Sequence, residues 1–196
     1  MKTTGFILMM CLVTFPALAQ EETLITGDIQ SGGFGGPVAK ITSMNGEAGI
    51  LVGGRGGWII NHSFIIGGGG YGLANNIRAK VLGPNGERYL NFGYGGVELE
   101  YVSQPARLIH LSYMMLIGGG GVNWRDENLR AGSMNQESDS FFILEPEVNV
   151  TLNVTQYFRM SAGVSYRYIS GSSSAASSNA DLSGPSGVIV FRFGKF

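Results

Sequence analysis

The sequence predicts an all-β fold, an antiparallel transmembrane β-barrel of about eight strands closed on itself, and three observations point there. Several segments alternate apolar and polar side chains with the two-residue period of a strand, short and long connections take turns along the chain, and an export signal precedes them all.

The export signal occupies residues 1–19. Lys2 supplies a short basic start, Phe6 to Val13 an apolar core, and Ala17-Leu18-Ala19 a small-x-small cleavage motif ahead of Gln20. The apolar core is too short for a spanning helix, which needs about 20 residues, and no later stretch supplies such a run without glycine or charge. Residues 1–19 are therefore expected to be cleaved on export, leaving 20–196 as one barrel domain. The only cysteine, Cys11, lies inside the signal. The exported chain thus has no disulfide, thiolate metal site or cysteine nucleophile to offer.

Composition narrows the class further. Lys and Arg number 13 against 14 Asp and Glu, which leaves no basic footprint for nucleic acid. Glycine is abundant at 32 of 196 residues and charge is scarce at 14%. A soluble domain keeps a more charged surface than this, whereas a wall that meets lipid does not need one.

Turn signals divide the exported chain into expected strands at 24–40, 47–60, 64–74, 88–102, 107–121, 141–154, 157–169 and 186–196. In the sixth, Phe142, Leu144, Pro146, Val148, Val150, Leu152 and Val154 share one face, and Ile143, Glu145, Glu147, Asn149, Thr151 and Asn153 the other. In the seventh, Phe158, Met160, Ala162, Val164, Tyr166 and Tyr168 oppose Arg159, Ser161, Gly163, Ser165 and Arg167. In the fourth, Val97, Leu99 and Tyr101 oppose Glu98 and Glu100. One face suits lipid and the other a polar interior.

The connections at 61–63, 103–106 and 155–156 are tight, while those at 75–87, 122–140 and 170–185 are long, polar and rich in Gly, Ser, Asn and Asp. Short turns on one side and longer loops on the other are the habit of outer-membrane barrels. The first loop on the long side, Ser43-Met44-Asn45-Gly46, is the exception, because Asn-Gly is a tight hairpin signal. Trp58, Phe64, Tyr101, Phe158 and Phe193 fall near the short-turn side and Phe142, Tyr166 and Tyr168 near the other, as interfacial girdles would.

The signal, the alternating strands and the terminal stretch from Val188 to Phe196 together resemble small OmpA/OmpX-type bacterial outer-membrane barrels, in particular glycine-rich members of that group. The resemblance implies location in the outer membrane, lipid as the surrounding partner, and a C-terminal aromatic strand read by the barrel assembly machinery, here Phe191, Phe193 and Phe196. The pattern departs at Arg192 and Gly194, where an apolar residue would be expected on the face of Phe196. A bulge at Gly194 would return Phe196 to the lipid face.

The remaining features offer candidate chemistry. Arg55, Glu98, Glu100, Glu145, Glu147, Arg159, Arg167 and Arg192 are assigned to the lumen, four acids against four arginines, where an unpaired charge would be costly. An interior of about eight strands is just wide enough for side chains to fill, which favours a packed polar core over an ion path. Glycine clusters recur once in each of the first five strands, at 32–36, 53–57, 67–70, 93–96 and 118–121. They permit strong coiling of a narrow barrel, or else line a groove for a lipid chain or peptide; no Gly-Lys-Ser/Thr follows to make them phosphate loops.

Glu145 and Glu147 could serve as acid and base, but they have arginines at hand as partners. His62 and His110 lie apart and form no triad or metal set. Asp126, Glu127, Glu137 and Asp139 could attract calcium, although loop charge is ordinarily solvated. No cofactor or metal is expected, and the chain is read as a monomeric, non-enzymatic barrel. Its contacts are assigned to the long loops, first to the one holding Trp124, Arg125, Asp126 and Glu127. Small-ligand or lipid binding in a glycine-lined interior, and a lipid-modifying barrel enzyme, are the alternatives.

Overall fold

The structure is a computed structural model that describes residues 30–78, 88–126, 139–172 and 178–196; the signal at 1–19 lies outside them. Eight strands follow one another around a closed barrel in chain order, each antiparallel to the next: β1 (Ser31–Met44), β2 (Glu47–Ile60), β3 (Phe64–Leu73), β4 (Arg88–Val102), β5 (Ile109–Asp126), β6 (Asp139–Asn153), β7 (Phe158–Ser170) and β8 (Gly184–Lys195). Pairing of β1 with β8 closes the wall, so no sheet edge is left over.

Local chemistry sets the returns. Asn45 and Gly46 both adopt positive φ, 52° and 83°, as a two-residue hairpin turn with the twist of its strands requires. Asn61 and His62 make the equivalent return at the other end with φ of 49° and 59°. Two prolines interrupt the ladder, since proline has no N–H to give. The β1–β8 register skips Pro37 and the β6–β7 register skips Pro146.

Face assignment follows the two-residue period throughout. Val148, Val150, Val164, Tyr166, Val97 and Leu99 are exposed on the outer wall, while Glu145, Glu147, Ser165, Arg167, Glu98 and Glu100 are buried inside. On the turn side the outer aromatics pair off, Phe64 with Tyr101 at 5.3 Å and Phe158 with Phe193 at 4.8 Å between ring centroids.

The lumen differs from the uniformly polar core that strand alternation suggested. Its ion pairs lie in a middle band. Toward the long loops the interior is a large apolar cluster that includes Leu51, Phe92, Leu116, Phe141 and Ile143. At the turn end Phe34, Ile59, Ile65 and Val102 form a smaller one, closed by Phe196. The ion pairs are thereby held at the depth where side chains from opposite walls reach one another.

Three expectations about segment placement are corrected. Trp124, Arg125 and Asp126 belong to β5 and not to a loop: the strand continues to Asp126, pairing Trp124 with Leu90 and Asp126 with Arg88. The Trp124 ring is buried in the upper apolar cluster, because positions 122 and 124 keep the inward phase of Leu116. Glu127 and Glu137 lie outside the described residues. The connection expected at 170–185 contains a short helix, α1 (Asn179–Leu182), started by a reciprocal capping box between Ser178 and Asp181. Its Leu182 is fully buried in the barrel mouth. Finally, β8 carries no bulge at Gly194. Its pairing with β1 runs through Gly194 without a shift and its pairing with β7 holds as far as Phe193, so Phe196 keeps the phase of Arg192 and packs inward on Phe34, while Phe193 faces out.

Candidate functional site

The strands deliver charge to the lumen from opposing walls. Carboxylates come from β4 (Glu98, Glu100) and β6 (Glu145, Glu147), and cations from β1 (Lys40), β2 (Arg55), β7 (Arg167) and β8 (Arg192), all buried.

Nearest the turns, Arg192 meets Glu100 in a two-bond fork, Nη1 donating to Oε2 at 3.0 Å and Nη2 to Oε1 at 2.8 Å. One layer higher, Arg55 Nη2 donates to both oxygens of Glu147 at 2.8 and 3.0 Å, and its Nε lies 3.6 Å from Glu98 Oε2. Glu98 also accepts from the Tyr71 hydroxyl, and Glu147 from Asn149 Nδ2 at 2.8 Å. In the next layer Lys40 Nζ donates to Glu145 Oε1 at 2.9 Å and sits 3.6 Å from Glu147 Oε2. Glu145 takes two further bonds, from Tyr94 Oη at 2.7 Å and Ser165 Oγ at 2.6 Å. At the top, Arg167 donates through Nε to the Leu182 carbonyl at 2.8 Å and through Nη2 to Thr42 Oγ1 at 3.3 Å, fastening α1 to the barrel.

Seven of the eight residues assigned to the lumen are buried there: Arg55, Glu98, Glu100, Glu145, Glu147, Arg167 and Arg192. Arg159 departs from its expected place in the network. It sits at the turn-end mouth, half-buried, with its guanidinium over the Phe196 ring at 4.1 Å and not against a carboxylate. Lys40 takes the place assigned to it. Sequence reading passed Lys40 over, although Val38-x-Lys40-x-Thr42 against Ala39 and Ile41 carries the inward phase. Tyr71 and Tyr94 were missed because glycines on either side leave no apolar–polar alternation to read. The Lys40 ammonium rests 3.9 Å from the Tyr71 ring centroid, a second contribution to holding a buried cation.

Glycine makes room for these long side chains. A Cβ on Gly69 would land on Glu98 Oε1 and within 2.8 Å of the Tyr71 hydroxyl. The groove expected of a glycine-lined interior is thus filled at this point by the chain's own side chains.

Chemically, this is a neutralised ladder. Each carboxylate has a cation within 3.6 Å, which occupies Glu145 and Glu147 with structural work and leaves neither placed as an acid–base pair. Among the described residues no group of three or more His, Cys, Asp or Glu is arranged to hold a metal. His62 Nε2 lies 2.6 Å from Gln30 Oε1 in its turn, and His110 Nδ1 lies 3.1 Å from the Arg107 carbonyl.

A closed eight-stranded antiparallel barrel with an apolar outer wall and a filled, charge-balanced interior defines the class: this is the fold of the small outer-membrane barrels of the OmpA/OmpX/Ail type. The chain superposes on Neisserial surface protein A with a TM-score of 0.59 at 12% identity, covering 87% of this chain and all of that one. It matches the N-terminal barrel domain of Pseudomonas aeruginosa OprF at 0.54 and 12% identity, over 85% of this chain and 99% of that one. Ail, the attachment invasion locus protein of Yersinia pestis solved with the heparin analogue sucrose octasulfate, matches at 0.51 and 14% identity, over 87% and 100%. No family model and no curated protein matches the sequence.

Proposed function

We propose that the chain is exported through its N-terminal signal, has residues 1–19 removed, and works in the outer membrane as a sealed, non-enzymatic barrel that contributes to envelope structure and surface contact. The observation that carries this reading is the interior. Arg167, Lys40, Glu145, Phe92 and Ile143 are all fully buried within the wall and leave a packed core where a channel or a substrate site would have to be. What remains for contact is the long-loop end, which agrees with loops carrying function on a rigid scaffold. The attachment role in the name of the Ail protein supports the same assignment by analogy of fold.

The structure refines which residues to test. Residues 75–78 turn back onto the rim, where Ile77 is fully buried and Asn75 bonds both Ile50 N and Ala48 O. Together with α1 they close the mouth. Trp124 is withdrawn as a contact residue by its burial, so the stretch between β5 and β6, residues 127–138, becomes the first target. Replacing 127–138 with a short Gly-Ser linker is expected to preserve heat-modifiable migration on gels while lowering adherence of bacteria that carry the protein to host cells or to one another. Undiminished adherence by a folded variant would contradict the assignment.

A further inference from the structure

At the turn end of the lumen two arginines share one carboxylate. Arg159 on β7 and Arg192 on β8 are directly paired across the two strands, and both guanidinia lie on inward-facing rings. Arg192 sits over Phe34 at 5.1 Å and Arg159 over Phe196 at 4.1 Å, and those two rings are themselves stacked with centroids 6.3 Å apart. Like charges opposite one another on neighbouring strands repel, and here one carboxylate answers two cations. Glu100 is taken up by Nη1 and Nη2 of Arg192. Arg192 is 2% exposed and its Nε has no hydrogen-bond partner. Among the described residues no ion pair reaches Arg159, the terminal carboxylate of Phe196 included. The Ser161 and Thr151 hydroxyls, 2.9 Å apart, lie one inward position above Arg159.

We propose that this mouth is a binding site for a phosphate-type oxyanion, held by the half-exposed Arg159 fork beside the buried Arg192 guanidinium. The chemistry fits on three counts. A guanidinium presents parallel N–H donors that match two oxygens of one phosphate. The Arg159 fork is positioned in advance by the Phe196 ring beneath it, which lowers the ordering cost of binding. An anion beside them offsets the repulsion of this cross-strand pair. Half-burial of Arg159 leaves its site open to the turn side, so the phosphate can come from solution or from a phospholipid headgroup.

The test uses the folded, signal-free chain in a neutral detergent. Inorganic phosphate is titrated calorimetrically at constant ionic strength with chloride as the control ion, and a short-chain phosphatidic acid is titrated in a second arm. One site per barrel is expected. Arg159→Gln removes a charged donor without orphaning a carboxylate, so it should fold normally by gel migration and weaken binding by about tenfold or more. Arg159→Lys, which keeps the charge but not the fork, should fall between the two. Binding in the first arm assigns the site to free phosphate, and binding in the second alone assigns it to a headgroup; either supports the proposal if Arg159→Gln loses it. Failure of both ligands to bind, or equal affinity in Arg159→Gln, overturns it.

Discussion

At the scale of single residues, the lumen shows why a buried charge ladder is kept although apolar packing could replace it. Desolvating an ion costs several kcal/mol, and the fork of Arg192 with Glu100 recovers this only while both partners are present. Arg192→Met alone should therefore destabilise the folded barrel by about 3–5 kcal/mol, and Glu100→Met comparably, while the double replacement should recover most of the loss. Urea unfolding in lipid vesicles measures all four corners of that cycle; additive losses would mean the pair is not coupled. Residue by residue, legibility in the sequence tracked alternation. Glu98, Glu100, Glu145, Glu147 and Arg167 sit in clean two-residue patterns, and each lies inside as its phase requires. Arg159 shares that phase but lies at the strand end, where being inward means reaching the mouth and not the ladder, a distinction period alone does not contain.

At the scale of elements, glycine has two separable jobs that its sequence clusters do not distinguish. On the inner phase Gly36 is crossed closely by β8, and an added Cβ would strike the Phe191 carbonyl of the backbone. On the outer phase Gly54 is exposed, and an added Cβ would find its nearest atom, the Gly36 carbonyl oxygen, at 3.5 Å, an ordinary contact. Gly36→Ala is accordingly expected to destabilise by about 1–3 kcal/mol, as forced overpacking does. Gly54→Ala should be neutral or slightly stabilising, since alanine loses less chain entropy on folding. Equal effects in a common unfolding assay would show that the clusters serve coiling alone. Strand ends were the least legible elements. β5 outruns its turn signal because Val122 and Trp124 continue the inward phase through residues that look like loop, and α1 hides in a polar stretch whose only helical cue is Ser178 with Asp181 three residues on.

At the scale of the whole molecule, the alternation of short and long connections and the apolar outer face were enough to read a closed barrel, because a bilayer tolerates little else built from strands. The layering of the interior was not legible in that way. It depends on which inward residues share a height after each strand is tilted and staggered, and that arises only from the register. Two apolar clusters enclosing an ionic band fill the interior, with Leu182 and Ile77 packed into the upper one and Phe196 against the lower. Single-channel recording from the purified, folded, signal-free chain in a planar bilayer tests this most directly. No steady conductance step is expected at any moderate voltage, whereas a uniform, long-lived open level would contradict the sealed interior and move the function from the loops to the lumen.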